Sequence, residues 1–516
     1  MRTRGFDAVI VGAGSAGCVL AARLSENSAC QVALLEAGGL PDDPDIADPL
    51  KWPSLQGRSF DWDYETVAQA GTAGRKHRWP RGRIVGGSSC LHAMAHIRGH
   101  PKDFDAFAEA GGARWSYENL LASFRASERY SEGRSDLHGD AGPLDVYLPH
   151  DEVSPLVRSY MEAASSFGVP TIGEHNGREI IGMAPNSLTI RNGRRLSVAD
   201  AYLTETLGRQ NLTLVTHCLA NRIIFDGDAA IGISVIQDGE ERIIHADTVI
   251  LAAGTIASPL ILMRSGIGDE ADLRRHGIAC RDHRPAVGTN LHDHLLALGN
   301  VYEARRPIPT SRLQHSESLT YLNSANLAAA SGVPDIVVAC ATVPIVSDAL
   351  TVHAAPGGAY TLLCGVTHPT SRGSLRLGGA DPRAVPIIDP AYLSTQYDRD
   401  TFRASLKVAR EIGNAAPLDA WRLSELLPGP EIIDDDAVDG FLTRAASTHH
   451  HPVGTCRMGR DSVSVVDGNL SVRGIDDLYI ADASIFPEII SGPINAAIVA
   501  LAEAWVRGFS GSLRPQ

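Results

Sequence analysis

The chain is poor in cysteine, with eight among 516 residues, at 18, 30, 90, 218, 280, 340, 364 and 456. None forms a C-x-x-C pair and no spacing matches a zinc site. We therefore expect neither a disulfide scaffold nor a structural zinc, and a reducing compartment, the cytoplasm. Basic residues are outnumbered, 46 Lys and Arg against 60 Asp and Glu, for a net charge of −14. That argues against a nucleic-acid partner, which needs a clustered basic surface. Long apolar runs are missing too. The longest apolar region, Val249–Met263, is interrupted by Gly254 and Pro259 and is too short to span a bilayer. There is no internal repeat and no low-complexity segment. The N-terminus is basic and then apolar, as a leader would be. Its apolar run has only a strand's length and ends in glycines instead of a cleavage site, so it reads as structure. These absences leave a chain expected to be soluble and monomeric, without membrane or nucleic-acid partners.

What is present is a long chain of ordinary globular composition, 44% hydrophobic and 21% charged. Its length exceeds that of a usual single domain, so two are expected. Phe6–Val11 has a buried-strand pattern, glycines follow, Val19–Leu24 has helical spacing, and Val32–Leu35 is a second apolar run. That is one βαβ unit. Trp79–Gly99, rich in Gly, Ser and Arg, reads as irregular backbone. Thr213–Thr216, Ile223–Asp226, Ala230–Gln237, Arg242–His245 and Asp247–Ala253 read as strands, with a helix over Gly254–Arg264. Asp335–Val343 and Ala359–Val366 look like strands, Asp398–Ala415 like a helix, Leu478–Ala483 like a buried strand and Ile494–Val506 like a helix. The two ends of the chain share one character and the middle has another. The expected fold class is α/β: a Rossmann-like cofactor domain from discontinuous segments (1–155, 195–297, 450–516), with an α+β substrate domain carrying an antiparallel sheet (156–194, 298–449).

Gly12, Gly14 and Gly17 form G-x-G-x-x-G between a strand and a helix. The first glycine permits the tight turn, the second lets backbone amides approach a pyrophosphate, and the third lets helix and strand pack closely. The helix N-terminus then favours the anion. Glu36 lies nineteen residues after Gly17, where a carboxylate can accept hydrogen bonds from a ribose diol. A lone G-x-G-x-x-G is weak evidence, but strand, helix and acid are all in place here. The motif does not decide between NAD and FAD; its position at the extreme N-terminus favours FAD.

The stretch Arg81-Gly82-Arg83-Ile84-Val85-Gly86-Gly87-Ser88-Ser89-Cys90-Leu91-His92-Ala93-Met94, with His96-Ile97-Arg98-Gly99, resembles the first signature of the glucose–methanol–choline (GMC) oxidoreductases. Gly254-Thr255-Ile256-Ala257-Ser258-Pro259 through Ser265-Gly266-Ile267-Gly268 resembles their second. Further matches are Arg195-Leu196-Ser197 with Ala201-Tyr202-Leu203, and Gly288-Thr289-Asn290-Leu291-His292-Asp293-His294. The C-terminal matches are His451-Pro452-Val453-Gly454-Thr455 and Ala481-Asp482-Ala483-Ser484-Ile485. The resemblance runs end to end in the expected order. It implies FAD, held by Gly12, Gly14, Ser15, Ala16, Gly17, Glu36, Ala37, Trp62, Arg83, Val85, Gly86, Gly87, Ser88, His92, Ala93, Ala220, Ala253, Gly254, Asp482, Ala483 and Ile494. Leu91 aligns with the histidine that some relatives bond to flavin, so the FAD is expected to be non-covalent. His92 stands where many relatives have asparagine.

Taking hydride from an alcohol carbon requires that the hydroxyl proton leave, and a histidine suits that step. The resemblance gives the role to His451. Relatives carry a second histidine or asparagine further on, where this chain has Pro493, which has no N–H and no polar side chain. His449 is the replacement: if 449–451 is extended, His449 and His451 share a face and His450 points away. The Thr448–His451 tract could be mistaken for a metal site, but no carboxylate or further histidine stands at ligand spacing, so no metal is expected. The reaction implied is oxidation of a primary alcohol to an aldehyde, with oxygen or another acceptor. The arrangement of two histidines and a proline resembles that of GMC members acting on a hydroxymethylpyridine, and this resemblance implies pyridoxine as the first substrate to expect. Aryl alcohols, choline and aliphatic alcohols are the alternatives, with cyanohydrin cleavage as a different reaction class.

Overall fold

The computed structural model describes residues 5–327 and 332–509. Two sheets organise it, of seven and eight strands. In the first, Val32–Leu35, Phe6–Val11 and the second half of Glu240–Leu251 run parallel, with Leu212–Val215 at one edge and Leu478–Ile480 pairing Val249–Leu251. Phe6–Val11 and Val32–Leu35 are apolar and largely buried, as strands covered on both faces must be. Their alanines, valines and leucines pack the helix Ser15–Leu24, which in turn lies along the last helix, Asn495–Phe509.

Arg242–His245 and Asp247–Ala253, expected as two strands, are one. Glu240–Leu251 pairs antiparallel with Ala229–Gln237 through its exposed first half and parallel with Phe6–Val11 through its buried second half. The change from exposed to buried, not a break in the backbone, produced the apparent division. The helix Gly254–Arg264 follows it, as expected.

The second sheet is antiparallel throughout: Arg422–Leu427, Val301–Ala304, Ala359–Val366, Ile336–Ala341, Ser316–Leu322 and Gly182–Pro185. Helices Pro155–Ser166 and Gln396–Gly413 pack on one of its faces. Leu295–Ala297 bridges Ala359–Val366 and Ala446–Thr448. Leu295–Ala297 thus belongs to the second sheet, and Ala446–Thr448 carries the chain from that sheet into His449. All eight cysteines are free. Among the described residues no helix is long and apolar enough to cross a membrane.

Candidate active site

A cavity of about 690 Å³ lies between the two sheets. One end is walled by the first sheet and its turns. Gly12 has φ +102°, and a Cβ there would stand 2.7 Å from the Ala252 carbonyl. The Gly86–Ser88 loop lies against this turn: the Gly86 N–H donates to the Ala13 carbonyl at 2.7 Å, and a Cβ on Gly87 would be 2.7 Å from the Gly14 Cα. Only backbone can make so close a seam. Three helices open on the cavity at their N-termini, with Gly14–Ala16, Ala253–Ile256 and Pro493–Asn495 all on its wall. Ser15 ties the first of these to the last, its hydroxyl donating to the side-chain Oδ1 of Asn495 at 2.6 Å. Asp482 ties in the second, accepting from the Gly254 N–H at 2.8 Å and the Ser258 hydroxyl at 2.5 Å. Three positive helix ends with backbone amides around them suit a pyrophosphate. Glu36 faces the same space while accepting from the Ala13 and Gly38 N–H groups at 3.0 and 2.9 Å. Burial pushes its carboxyl up to about 7.

Most of the residues expected to hold the cofactor line this cavity. Gly17, Arg83, Val85 and Gly86 stand behind its wall. A Cβ on Gly17 would fall 1.8 Å from the Gly12 carbonyl oxygen, so its smallness serves packing. Arg83 places its guanidinium over the Trp62 ring, 5.5 Å from the centroid, and Trp62 itself faces the cavity. The Val85 N–H donates to Gly39, which anchors the loop. His92 is on the wall with its Nδ1 toward the Met94 N–H and the Arg195 guanidinium, both at 3.1 Å. Two donors at Nδ1 leave the proton on Nε2. Burial then holds the ring neutral, its pKa pushed down to about 3. At a position usually held by asparagine, His92 is a neutral N–H donor.

At the other end, His449 and His451 meet with ring centroids 4.4 Å apart. They do not converge through an extended backbone. His450 has φ +67°, and that left-handed turn brings its neighbours together. His450 does not point away either: it lines the cavity and its Nδ1 has no partner. The turn is pinned by three contacts. The His451 N–H donates to Asp293 Oδ1 at 2.7 Å, the His450 N–H to Thr448 Oγ1 at 2.8 Å, and Arg81 donates to the His450 carbonyl at 3.1 Å. Asp293 is buried, which raises its pKa, and its other oxygen accepts from the Thr448 and Tyr392 hydroxyls.

A third histidine completes the group. His294 Nε2 lies 2.8 Å from the Thr367 carbonyl, and its Nδ1 3.0 Å from His451 Nδ1. A carbonyl only accepts, so the His294 proton sits on Nε2 and its Nδ1 offers a lone pair. His451 must then donate from Nδ1, which leaves its Nε2 unprotonated. Burial, with the neighbouring histidines and Arg81, holds His451 well below its ordinary pKa. It is thus a neutral imidazole in the tautomer of a base. Sequence reasoning, which found no further histidine near the tract, missed His294. It lies in the quoted Asn290–His294 motif, but only the fold brings it to His451. Nitrogens of His294, His449 and His451 all come within 4.8 Å of one another, which could hold a metal ion. In the arrangement seen, the facing nitrogens of His294 and His451 are joined by a hydrogen bond instead.

The remaining wall is the inner face of the second sheet, with Leu296, Leu319, Val337, Ala339 and Leu363. Pro493 faces the cavity and contributes no donor.

Comparison with known proteins agrees with this arrangement. The family model described as GMC oxidoreductase matches residues 6–296, and a second of that description matches 369–502. The chain belongs to the GMC oxidoreductase family. Among GMC relatives, pyridoxine 4-oxidase of Microbacterium luteolum is 50% identical over 506 residues, covering 98% of this chain and 99% of the relative. The crystal structure of pyridoxine 4-oxidase from Mesorbium loti superposes with a TM-score of 0.95 at 50% identity, covering 98% of this chain and 99% of that one. An oxygen-dependent choline dehydrogenase of Citrobacter koseri is 36% identical over 536 residues, covering 98% and 95%. The GMC fold thus accounts for both sheets and for the cavity between them.

Proposed function

We propose that the chain is an FAD-dependent oxidoreductase that converts the hydroxymethyl group of a pyridine, pyridoxine first, to an aldehyde, with oxygen as final acceptor. The observation that carries this is the tautomer of His451. With Nδ1–H engaged by His294, its Nε2 can take a hydroxyl proton inside a largely apolar chamber. Bound flavin supplies the hydride acceptor, at N5. The glycine turns, the three helix ends and Glu36 would hold the cofactor at one end of the cavity, and Leu91, which cannot bond to it, would leave it non-covalent. The second sheet receives the alcohol.

Proton transfer follows from the same geometry. Burial keeps His451 neutral, the form that accepts a proton. As the hydroxyl is deprotonated, the new imidazolium keeps its Nδ1–H on the lone pair of His294 and is stabilised by the nearby alkoxide. His449, packed against His451, orients the hydroxyl in place of the polar residue that Pro493 lacks. The 50% identity to pyridoxine 4-oxidase over nearly the whole chain supports the pyridine substrate. The test is anaerobic addition of pyridoxine to the yellow protein, followed by an aerobic hydrogen peroxide assay over a panel of alcohols. Bleaching, with peroxide highest for pyridoxine, is expected. A flavin that stays yellow with every alcohol, in a protein that splits a cyanohydrin into aldehyde and cyanide, would mean lyase chemistry.

A further inference from the structure

The apolar end of the cavity holds an amide whose role nothing above explains. Asn186 follows the strand Gly182–Pro185, is 1% exposed, and lines the cavity with Leu319 and Val337. Its orientation is fixed. The backbone N–H donates to the Glu317 carbonyl at 2.9 Å, and Nδ2 donates to the Ser316 carbonyl at 2.8 Å. Because the Ser316 carbonyl can only accept, the amide end that faces it must be the donating NH2, and Oδ1 is the free end. That Oδ1 is buried and has no partner. The neighbouring amide, Gln314, folds both ends back on the Ser316 backbone and offers nothing to the cavity. A buried carbonyl oxygen without a donor is costly, and native proteins keep few of them.

We propose that Asn186 Oδ1 accepts a hydrogen bond from an O–H or N–H donor on the substrate's ring, and so selects ring-substituted hydroxymethyl alcohols over plain aryl ones. The inference rests on the alcohol-oxidising function proposed above. Asn186 and His451 come from distant parts of the chain and face one cavity. The histidine reads the group that reacts, and the amide reads a second polar group on the same ring. An alcohol without that donor leaves Oδ1 desolvated and unpaired, a penalty that a merely apolar pocket would not impose.

The test compares benzyl alcohol, 2-hydroxybenzyl alcohol and 2-aminobenzyl alcohol, by flavin reduction, in the wild-type protein, Asn186→Leu, Asn186→Ala and Asn186→Asp. The hydroxyl- and amino-substituted alcohols separate an O–H donor from an N–H donor. In Asn186→Leu, kcat/KM for the donor-bearing alcohol should fall by roughly 10- to 100-fold, mainly through KM, with benzyl alcohol little changed. Asn186→Asp, which keeps an acceptor, should retain the preference. Asn186→Ala gives the same reading if the leucine variant purifies without FAD. An equal loss for all three alcohols, at normal FAD content, overturns this inference while leaving the oxidoreductase reading intact. So does a wild-type protein with no preference for ring donors. A wild-type flavin reduced by none of the alcohols, nor by pyridoxine, brings down both readings.

Discussion

The two ends of the cavity are built from different material. At the dinucleotide end the wall is backbone: glycine turns, helix N-termini and a loop seam in which a single methyl group would collide with a neighbouring carbonyl or Cα. At the alcohol end it is side chains: imidazoles from residues 449, 450 and 451 and an amide from residue 186, set in leucine and valine. A backbone wall tolerates little change in size at its closest contacts, and its geometry is largely written in short motifs. A side-chain wall tolerates changes in size but depends on which atom carries a proton. The contrast accounts for a family in which one cofactor serves many alcohols, because the second wall can be rewritten without disturbing the first.

The largest effect should come from the backbone wall. Gly17→Val drives side-chain atoms into the Gly12 carbonyl, and the purified protein should be colourless and unstable, measured as FAD per chain and as melting temperature. A yellow, stable variant would show that the turn is less closely packed than described. Next, His451→Ala should lower turnover by roughly 10² or more while FAD content stays at the wild-type value, the usual consequence of losing a general base. Near-normal turnover would remove His451 from the chemistry. His294→Ala removes the acceptor that fixes the His451 tautomer and should cost roughly 10- to 100-fold in kcat, with little change in FAD content. His449→Ala should cost less than His451→Ala, and replacing both should be worse than either alone; a silent His449→Ala would cancel its positioning role.

A smaller effect reads the buried histidines together. His92, His292, His294, His449 and His450 are each pushed down to about 3, with burial the largest cause. Below pH 6.5 the unfolded chain takes up protons that the folded chain refuses, so stability must fall as pH falls. The melting temperature should drop steadily from pH 6.5 to 4.5. The acid limb of kcat/KM should lie below pH 6.5, because His451 stays neutral there. A melting temperature flat across that range would show that the imidazoles are wetter than their burial indicates. The smallest change is expected from acid precipitation, which should release yellow flavin into the supernatant and leave the protein white.

The legibility of the sequence follows the same division. The βαβ unit, the Gly12–Gly17 turn, Glu36 and the Gly86–Ser88 loop could be read because residues close in the chain are close in space, and each glycine has a local steric reason. His451 and His449 could be named from the tract before Gly454-Thr455, yet the reason for their convergence was misjudged. An extended backbone was expected, whereas a left-handed His450 turns the chain. The strand Glu240–Leu251 was read as two because its surroundings change halfway.

By itself the sequence determined the local frame: the strand–turn–helix cradle, the excess of negative charge, the proline that removes a polar partner, and the histidine tract. It could do so because these depend on sterics and composition within a few residues. Only the tertiary structure decided that His294 sits against His451, that Asp293 pins the tract, and that Asn186, with an unpartnered amide oxygen, comes to the cavity wall. Those contacts join residues more than a hundred positions apart. The protonation state of an imidazole depends on its spatial neighbours, and no spacing along the chain records them.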